Sequence, residues 1–304
     1  MNGMVRQAHH ERIMKLLLIV AAVLFISTAI AQTTSIPAYI SKAVDDPSRP
    51  QTDRDRDENR KPAEVITFAG IKPGDKVADL MPGGGYFTRI FCNIVADMGV
   101  GNKGQVYAVT VPRKPASASQ STSQASTQAS SSGSSASSAA SNSSCANVTR
   151  IALKLKNIPA PELHSDSDDP GWVYEYYQQS PPAENFVVPE ALDVIWTSEN
   201  YHDLHNAGFG PPDMRLVNKA FFAALKPGGV LVIEDHAAEK KSGARDTQTL
   251  HRIDPELVKR EVQSAGFVFV GESTVLQHSE DAHNTKAHEM HDKTDRFLLK
   301  FRRP

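Results

Sequence analysis

Cysteine is almost absent from this sequence: Cys92 and Cys145 are the only two in 304 residues. That excludes a disulfide framework and leaves two alternatives open, a single bridge or two separate thiols. A basic excess is missing as well. Lys and Arg total 33 against 35 Asp and Glu, a net charge of −2, which argues against non-specific nucleic-acid binding. No internal repeat is present. Apolar runs are short: the longest, Leu16–Ala31, falls below the span of about 20 residues that a bilayer helix needs. From Ala116 to Ser144 there is no large apolar residue at all, about half the positions being Ser. Such a tract cannot bury enough surface to offset the entropy of ordering, and it is expected to be a disordered insertion.

What is present begins with an export signal. Arg12 and Lys15 precede the apolar run, which closes on Ala29-Ile30-Ala31. Basic flank, apolar stretch and Ala-x-Ala end predict a secretory signal peptide over residues 1–31, cleaved after Ala31, with an uncleaved membrane anchor as the alternative. The protein is then expected outside the cytoplasm, periplasmic or secreted, with no stable membrane span after cleavage. Residues 1–31 carry a net +2, so the remaining chain would be mildly acidic at −4. Residues 32–61, centred on Asp53-Arg54-Asp55-Arg56-Asp57, read as a polar linker or arm with its alternating charges in solvent. Residues 62–304 then form one domain, interrupted by the Ser-rich tract at about 116–144.

Within that domain strands and helices alternate. Pro62–Ala69 predicts a short helix closed by Gly70. Strands are expected at Lys76–Leu80, Gln105–Val111, Val148–Leu155, Leu192–Thr197, Val230–Asp235, Phe267–Glu272 and Arg296–Phe301, and helices at Pro212–Leu225 and Pro255–Ala265. Asp75 and Asp254 read as turn and helix-start residues. The alternation predicts an α/β fold, a doubly wound, mostly parallel sheet with helices on both faces. In such sheets ligands bind beyond the carboxyl ends of the strands.

The first strand runs into the most informative stretch, Val77-Ala78-Asp79-Leu80-Met81-Pro82-Gly83-Gly84-Gly85-Tyr86-Phe87-Thr88. Phe87, Ile90, Phe91, Ile94 and Val95 follow at helical spacing, so the order is strand, glycine loop, helix. Glycine lets backbone approach a ligand closely, and a helix N-terminus favours an anionic group. Thr88 stands where a dinucleotide loop requires its third glycine, and no Gly-Lys-Ser/Thr follows as in a P-loop, so both of those sites are excluded.

The pattern Asp-x-x-x-Gly-x-Gly, from Asp79 to Gly83 and Gly85, resembles motif I of the class I S-adenosylmethionine-dependent methyltransferases. Leu192-Asp193-Val194-Ile195-Trp196 is similar to their fourth strand, Phe221–Glu234 to their helix-turn-fifth-strand segment, and Ser264-Ala265-Gly266-Phe267 to the entry of their sixth strand. Asp57-Glu58-Asn59-Arg60-Lys61-Pro62, Asn200–His205 and Lys293-Thr294-Asp295-Arg296-Phe297 resemble an exported bacterial group of predicted methyltransferases within that superfamily. The resemblance implies a Rossmann-like seven-stranded sheet with its last strand antiparallel. It implies S-adenosylmethionine as cofactor, held by Asp79, Gly83, Gly84, Gly85, Tyr86, Thr110 and Asn200. Two positions depart from the superfamily. Met81 stands where it usually has glycine. Thr110 stands where Asp or Glu usually grips the ribose, and a threonine oxygen cannot accept from two hydroxyls as a carboxylate does.

Methyl transfer needs an oriented, deprotonated acceptor. Glu199–His205 directly follows the fourth strand, so His202 is the candidate base, with Asp203 or another carboxylate to orient it and Tyr201 beside it. The alternative is that these side chains only shape the pocket. Eight of the eleven histidines follow the fourth, fifth or sixth strand. His202-x-x-His205 with Glu234, Asp235 or His236 could hold a metal, but the spacing lacks the tightness of zinc sites, and no metal is assigned. The sequence therefore supports a methyltransferase acting on an unidentified acceptor. A non-catalytic binding protein on the same fold and a metal-dependent hydrolase on the histidine-rich face are the alternatives.

Overall fold

The computed structural model describes residues 35–96, 104–111, 145–153, 186–206 and 213–304. The expected signal peptide, the Ser-rich tract and residues 154–185 lie outside them. Residues Ile36–Pro304 form one compact unit. In chain order its elements are α1 (Ala38–Val44), α2 (Gln51–Arg54), α3 (Asp57–Arg60), α4 (Pro62–Ala69), β1 (Lys76–Leu80), α5 (Tyr86–Val95), β2 (Gln105–Thr110) and β3 (Val148–Ala152). Then come β4 (Leu192–Ser198), α6 (Met214–Ala224), β5 (Leu225–His236), α7 (Pro255–Ser264), β6 (Val268–Ser273) and β7 (Arg296–Arg302). Among the described residues no helix is long and apolar enough to cross a membrane.

The seven strands make one sheet in the order β3-β2-β1-β4-β5-β7-β6. β1 pairs in parallel with β2 and β4, β2 with β3 and β4 with β5, whereas β7 is antiparallel to both β5 and β6. This is the doubly wound, Rossmann-like sheet with an antiparallel last strand. Strand residues alternate between its two faces, as a period of two requires. Ala78, Leu80 and Ile195 join α6 and α7 in one core. Val77, Val194 and Trp196 join α1, α4 and α5 in the other.

The helical spacing seen after the glycine loop is the buried face of α5. Phe87 and Phe91 lie 4.8 and 5.6 Å from the Trp196 ring, so α5 is anchored to β4 by aromatic side chains whose burial contributes about 1.5–3 kcal/mol each. Asp254 caps α7 by accepting from the Glu256 N–H, with Pro255 at the first position. Asp75 Oδ2 accepts from the Lys72 N–H in the turn before β1. Gly104 admits the close approach of β2 to α5, since a Cβ there would sit 2.1 Å from Val95 O. β5 starts five residues earlier than the apolar pattern implied. The Lys226–Gly229 turn is drawn into the ladder, because Gly228 N–H donates to Arg303 O and Arg303 N–H to Gly229 O.

Of the two alternatives open for the cysteines, the structure has the bridge: Cys92 and Cys145 form a disulfide that ties α5 to the residues just before β3. The segment expected as a solvated arm does differ, its described part from Ile36 to Lys61 being packed as α1–α3. Ile40 and Ala43 are buried against α5, and Arg49, Asp53 and Arg60 are 2, 7 and 5% exposed. Its charges are sorted in space rather than left in water. Arg49 pairs with Asp57, Asp53 with Arg89, Arg56 with Asp292 and Arg60 with Glu199.

Candidate functional site

At the carboxyl end of β1 the chain turns sharply. Met81, Gly83 and Gly85 have φ of 48°, 53° and 80°, the left-handed region that glycine occupies without strain. Met81 accepts that conformation without being glycine, and Asn200 steadies it by donating to Met81 O at 3.0 Å. Arg89, paired with Asp53, donates to Gly84 O at 2.8 Å. Thr88, the residue that excluded a dinucleotide loop, donates from Oγ1 to Asp79 Oδ2 at 2.6 Å and so ties the strand end to α5. Asp79 is fully buried, and burial pushes its carboxyl up to about 7 despite that hydrogen bond and the nearby Arg60.

Asp79, Met81, Gly83, Gly84 and Asn200 line a cavity of about 210 Å³, closed on one side by α2–α3 through Asp53, Arg56 and Arg60. Tyr86 lines it too. Its hydroxyl donates to Asp57 Oδ1 at 2.5 Å, and the Arg60 guanidinium lies 4.7 Å from its ring centre. A Cβ placed on Gly83 or Gly84 would meet no atom within 4 Å, so the loop faces open space that a ligand can fill. Thr110, expected near a ribose, ends β2 exposed. It donates to Ile151 O at 3.3 Å and is not part of this cavity's lining.

β4 ends at Ser198 with Glu199 directly after it, and beneath them lies a buried ionic network. Arg296 Nη1 donates to Glu199 at 2.8 Å and to Glu234 at 2.9 Å, while Arg60 reaches Glu199 at 3.0 Å. Burial alone would raise the Glu199 pKa; Arg60, His236 and Arg296 instead hold it below the ordinary carboxylate value. Glu199 and Arg56 also line a second, larger cavity of about 670 Å³. The two cavities therefore adjoin.

Five of the histidines, His202, His236, His251, His288 and His291, line the larger cavity, together with Asp203 and Asp292. His202 opens a short 3-10 turn, His202–His205, after β4. It is oriented by Asp235 at the end of β5, not by Asp203. The Asp235 carboxylate accepts from His202 Nδ1 and from the His202 backbone N–H, both at 2.7 Å. This fixes the proton on Nδ1 and leaves the Nε2 lone pair free. Although burial opposes it, Asp235 raises the His202 pKa above the ordinary value, whereas burial lowers that of His236 to about 4. His202 Nε2 lies 3.4 Å from His251 Nδ1 and 3.5 Å from Asp203 Oδ1.

Tyr201 and His205 point elsewhere. Tyr201 is fully buried and spends its hydroxyl on Glu261, to which it donates, and on Asn218, from which it accepts. It carries no catalytic role at this cavity. His205 pairs with Glu261 at 3.0 Å on α7, which removes the His202-x-x-His205 ligand pair. His283 pairs with Asp295. Arg56, Arg60, Glu199, His251 and Asp292 belong to the site without having been singled out for it, and Asp235 had been named only as an alternative metal ligand. The Asp57–Pro62 stretch that carried part of the family resemblance contains Arg60 and adjoins Arg56, and Lys293–Phe297 adjoins Asp292. Nothing local in the sequence marks His251, which is placed by the bridge between Ala237 and Ile253.

No protein-family model matches this sequence, and no curated protein matches it. Solved structures do. A SAM-dependent methyltransferase from Aquifex aeolicus is 15% identical, the alignment covering 87% of this chain and 98% of that one, with a TM-score of 0.42. The N-methyltransferase NodS from Bradyrhizobium japonicum is 12% identical over 86% of this chain and 98% of its own, with a TM-score of 0.41. The [4+2]-cyclase SpnF is 13% identical over 81% and 80%, with a TM-score of 0.44.

Proposed function

We propose that this protein is an S-adenosylmethionine-dependent methyltransferase, with the donor at the glycine loop and a polar acceptor in the histidine-lined cavity. The observation that carries the reading is the adjacency of the two cavities, which meet at Arg56 and Glu199 at the carboxyl ends of the central strands. Group transfer needs two sites side by side with water limited between them.

The residues fit the donor at one end. The left-handed glycine turn, the start of α5 and the open space over Gly83 and Gly84 suit the aminocarboxylate, and Asp79 and Arg60 offer charge of both signs. At the ribose end Thr110 offers no carboxylate. The cofactor supplies an activated methyl group on sulfur; the chain supplies position and acceptor activation. His202, its tautomer held by Asp235, turns its lone pair on the acceptor. Asn200, Arg89 and Thr88 keep the loop in register with it. The acceptor cavity is lined by Asp55, Arg56, Asn59 and imidazoles, which suits a small polar molecule over an apolar one.

Gly84 provides the test. Unlike its two neighbours it does not need a positive φ, and its Cβ direction is open, so Gly84→Val fills the cavity without straining the backbone. Calorimetry with S-adenosylhomocysteine is expected to show binding to the natural sequence and none to Gly84→Val at equal thermal stability. Absence of binding to the natural sequence at millimolar ligand would sink the proposal; equal binding by the variant would remove the glycine loop from it.

We also infer export. The N-terminal pattern supports it, and so does the Cys92–Cys145 bridge, since such bridges persist in oxidising compartments. Cell fractionation with the mass of the mature chain tests this; a full-length cytoplasmic protein with free thiols would refute it.

A further inference from the structure

Three donor atoms in the larger cavity stand apart from the other polar groups. His202 Nε2, His251 Nδ1 and Asp203 Oδ1 are separated by 3.4, 3.5 and 3.8 Å. These distances exceed the about 2.7–3.2 Å of a good hydrogen bond. They suit a shared ion instead: the circle through three points so spaced has a radius of about 2.1 Å, the bond length of zinc to imidazole nitrogen or carboxylate oxygen.

The surroundings match that use. His202 is 2% exposed, and its other ring nitrogen bonds Asp235, itself fully buried. A ligating histidine characteristically gives its second N–H to such a carboxylate, which sets ring orientation and raises its basicity. Asp235 is itself held, accepting from the His202 and His236 backbone N–H groups at 2.7 and 2.8 Å. Asp203 Oδ1 accepts from Asn206 Nδ2 at 2.9 Å, which steadies the third donor. On the far side the triad opens into the cavity of about 670 Å³, with His288 beyond His251 at a ring separation of 5.7 Å.

We propose that His202, Asp203 and His251 form a divalent transition-metal site, with three protein ligands and open coordination positions turned into the acceptor cavity. Two imidazoles and one carboxylate, without thiolate, favour a borderline ion such as zinc, iron(II) or manganese(II) over calcium or copper(I). Metal binding stands on this geometry alone. Its role rests on the function proposed above, with one change: a bound ion takes up the His202 Nε2 lone pair, so the ion and not the imidazole activates the acceptor. An acceptor hydroxyl or thiol bound to the ion gives up its proton to solvent near neutral pH. Its lone pair then forms the new bond to the methyl carbon as the carbon–sulfur bond breaks and that electron pair returns to sulfur.

The test uses the full chain, purified without a polyhistidine tag, stripped with chelator and titrated with zinc and manganese(II) separately by calorimetry. One equivalent of at least one of these ions is expected to bind, with a rise in thermal stability. His251→Gln and Asp203→Asn are expected to abolish saturable binding, and Asp235→Asn to weaken it about 10–100-fold. His205→Gln, which alters contacts to Glu261 and Tyr201 and none within the triad, is expected to bind as the natural sequence does. Near-ultraviolet circular dichroism establishes that each variant is folded. No saturable binding of either ion below about 100 µM, far above the affinities of built transition-metal sites, would overturn the proposal. Undiminished binding by His251→Gln would overturn it as well. S-adenosylhomocysteine binding measured on the same samples separates the two readings: metal without donor binding removes only the role, and donor without metal binding removes only the ion.

Discussion

Asp79→Asn should make this protein more stable at neutral pH and worse at holding a cationic ligand. Asp79 is buried at the end of β1, and burial moves its carboxyl from the ordinary 3.8 to about 7. In the unfolded chain the group titrates near its ordinary value. Between pH 4 and 7 the folded state therefore keeps a proton that the unfolded state has lost. Stability falls as pH rises through that window and levels off above it. A separation of about 3 pH units at 1.36 kcal/mol each gives a loss of about 4 kcal/mol. Asparagine reproduces the shape of the protonated acid and can still accept from Thr88 Oγ1. Urea unfolding of both proteins from pH 4 to pH 8 should give curves that meet near pH 4 and diverge by about 4 kcal/mol at pH 8, the variant being the more stable. Parallel curves would refute the reasoning, since they would mean that Asp79 titrates alike in both states. Binding should show the opposite preference. A positive charge in the cavity that Asp79 lines favours its ionised form, so donor binding near pH 6 should release a proton from the natural protein and none from Asp79→Asn. Binding enthalpies in buffers of different ionisation heat measure that directly.

The other predictions concern the network, the bridge and the acceptor side. Arg296→Met removes the ion-pair partner of the buried Glu234 and one of the two partners of Glu199, which keeps Arg60, and should cost about 3–5 kcal/mol in thermal or urea unfolding; adding Glu234→Gln should recover part of it. Replacing Cys92 and Cys145 together by Ala opens a cross-link between residues 53 apart and should cost about 4 kcal/mol by loop-closure entropy, read as a lower urea midpoint. His202→Gln should lower methyl transfer at least about 100-fold while leaving S-adenosylhomocysteine affinity unchanged; a parallel loss of both would assign His202 to structure.

How legible all this was in the sequence depended on how far apart the cooperating residues lie. β1, the glycine turn and α5 are contiguous, and their apolar period and glycines report one local conformation, so Asp79, Gly83–Gly85 and the buried face of α5 could be read directly. Residues 36–61 misled because alternating charge looks solvated when each partner is distant. Asp53 pairs 36 positions away with Arg89, and Arg56 pairs 236 positions away with Asp292. His202 stood out as a residue after β4, but its orienting carboxylate could not. Asp203 is its neighbour in sequence, whereas the parallel pairing of β4 with β5 brings Asp235 to it. Tyr201 shows the converse: one residue from His202, it faces the opposite way into the α6–α7 core.

The Cys92–Cys145 bridge has a consequence for the fate of the chain once it is cut. Every position from 93 to 144 lies between the two joined cysteines. A protease that severs one bond anywhere in that interval, the serine-rich tract included, does not divide the molecule. The two fragments stay covalently joined, and β2, carried on the link between them, cannot be lost unless a second cut is made. A nicked sample should run as one species on a denaturing gel until a reductant is added, and only then as two.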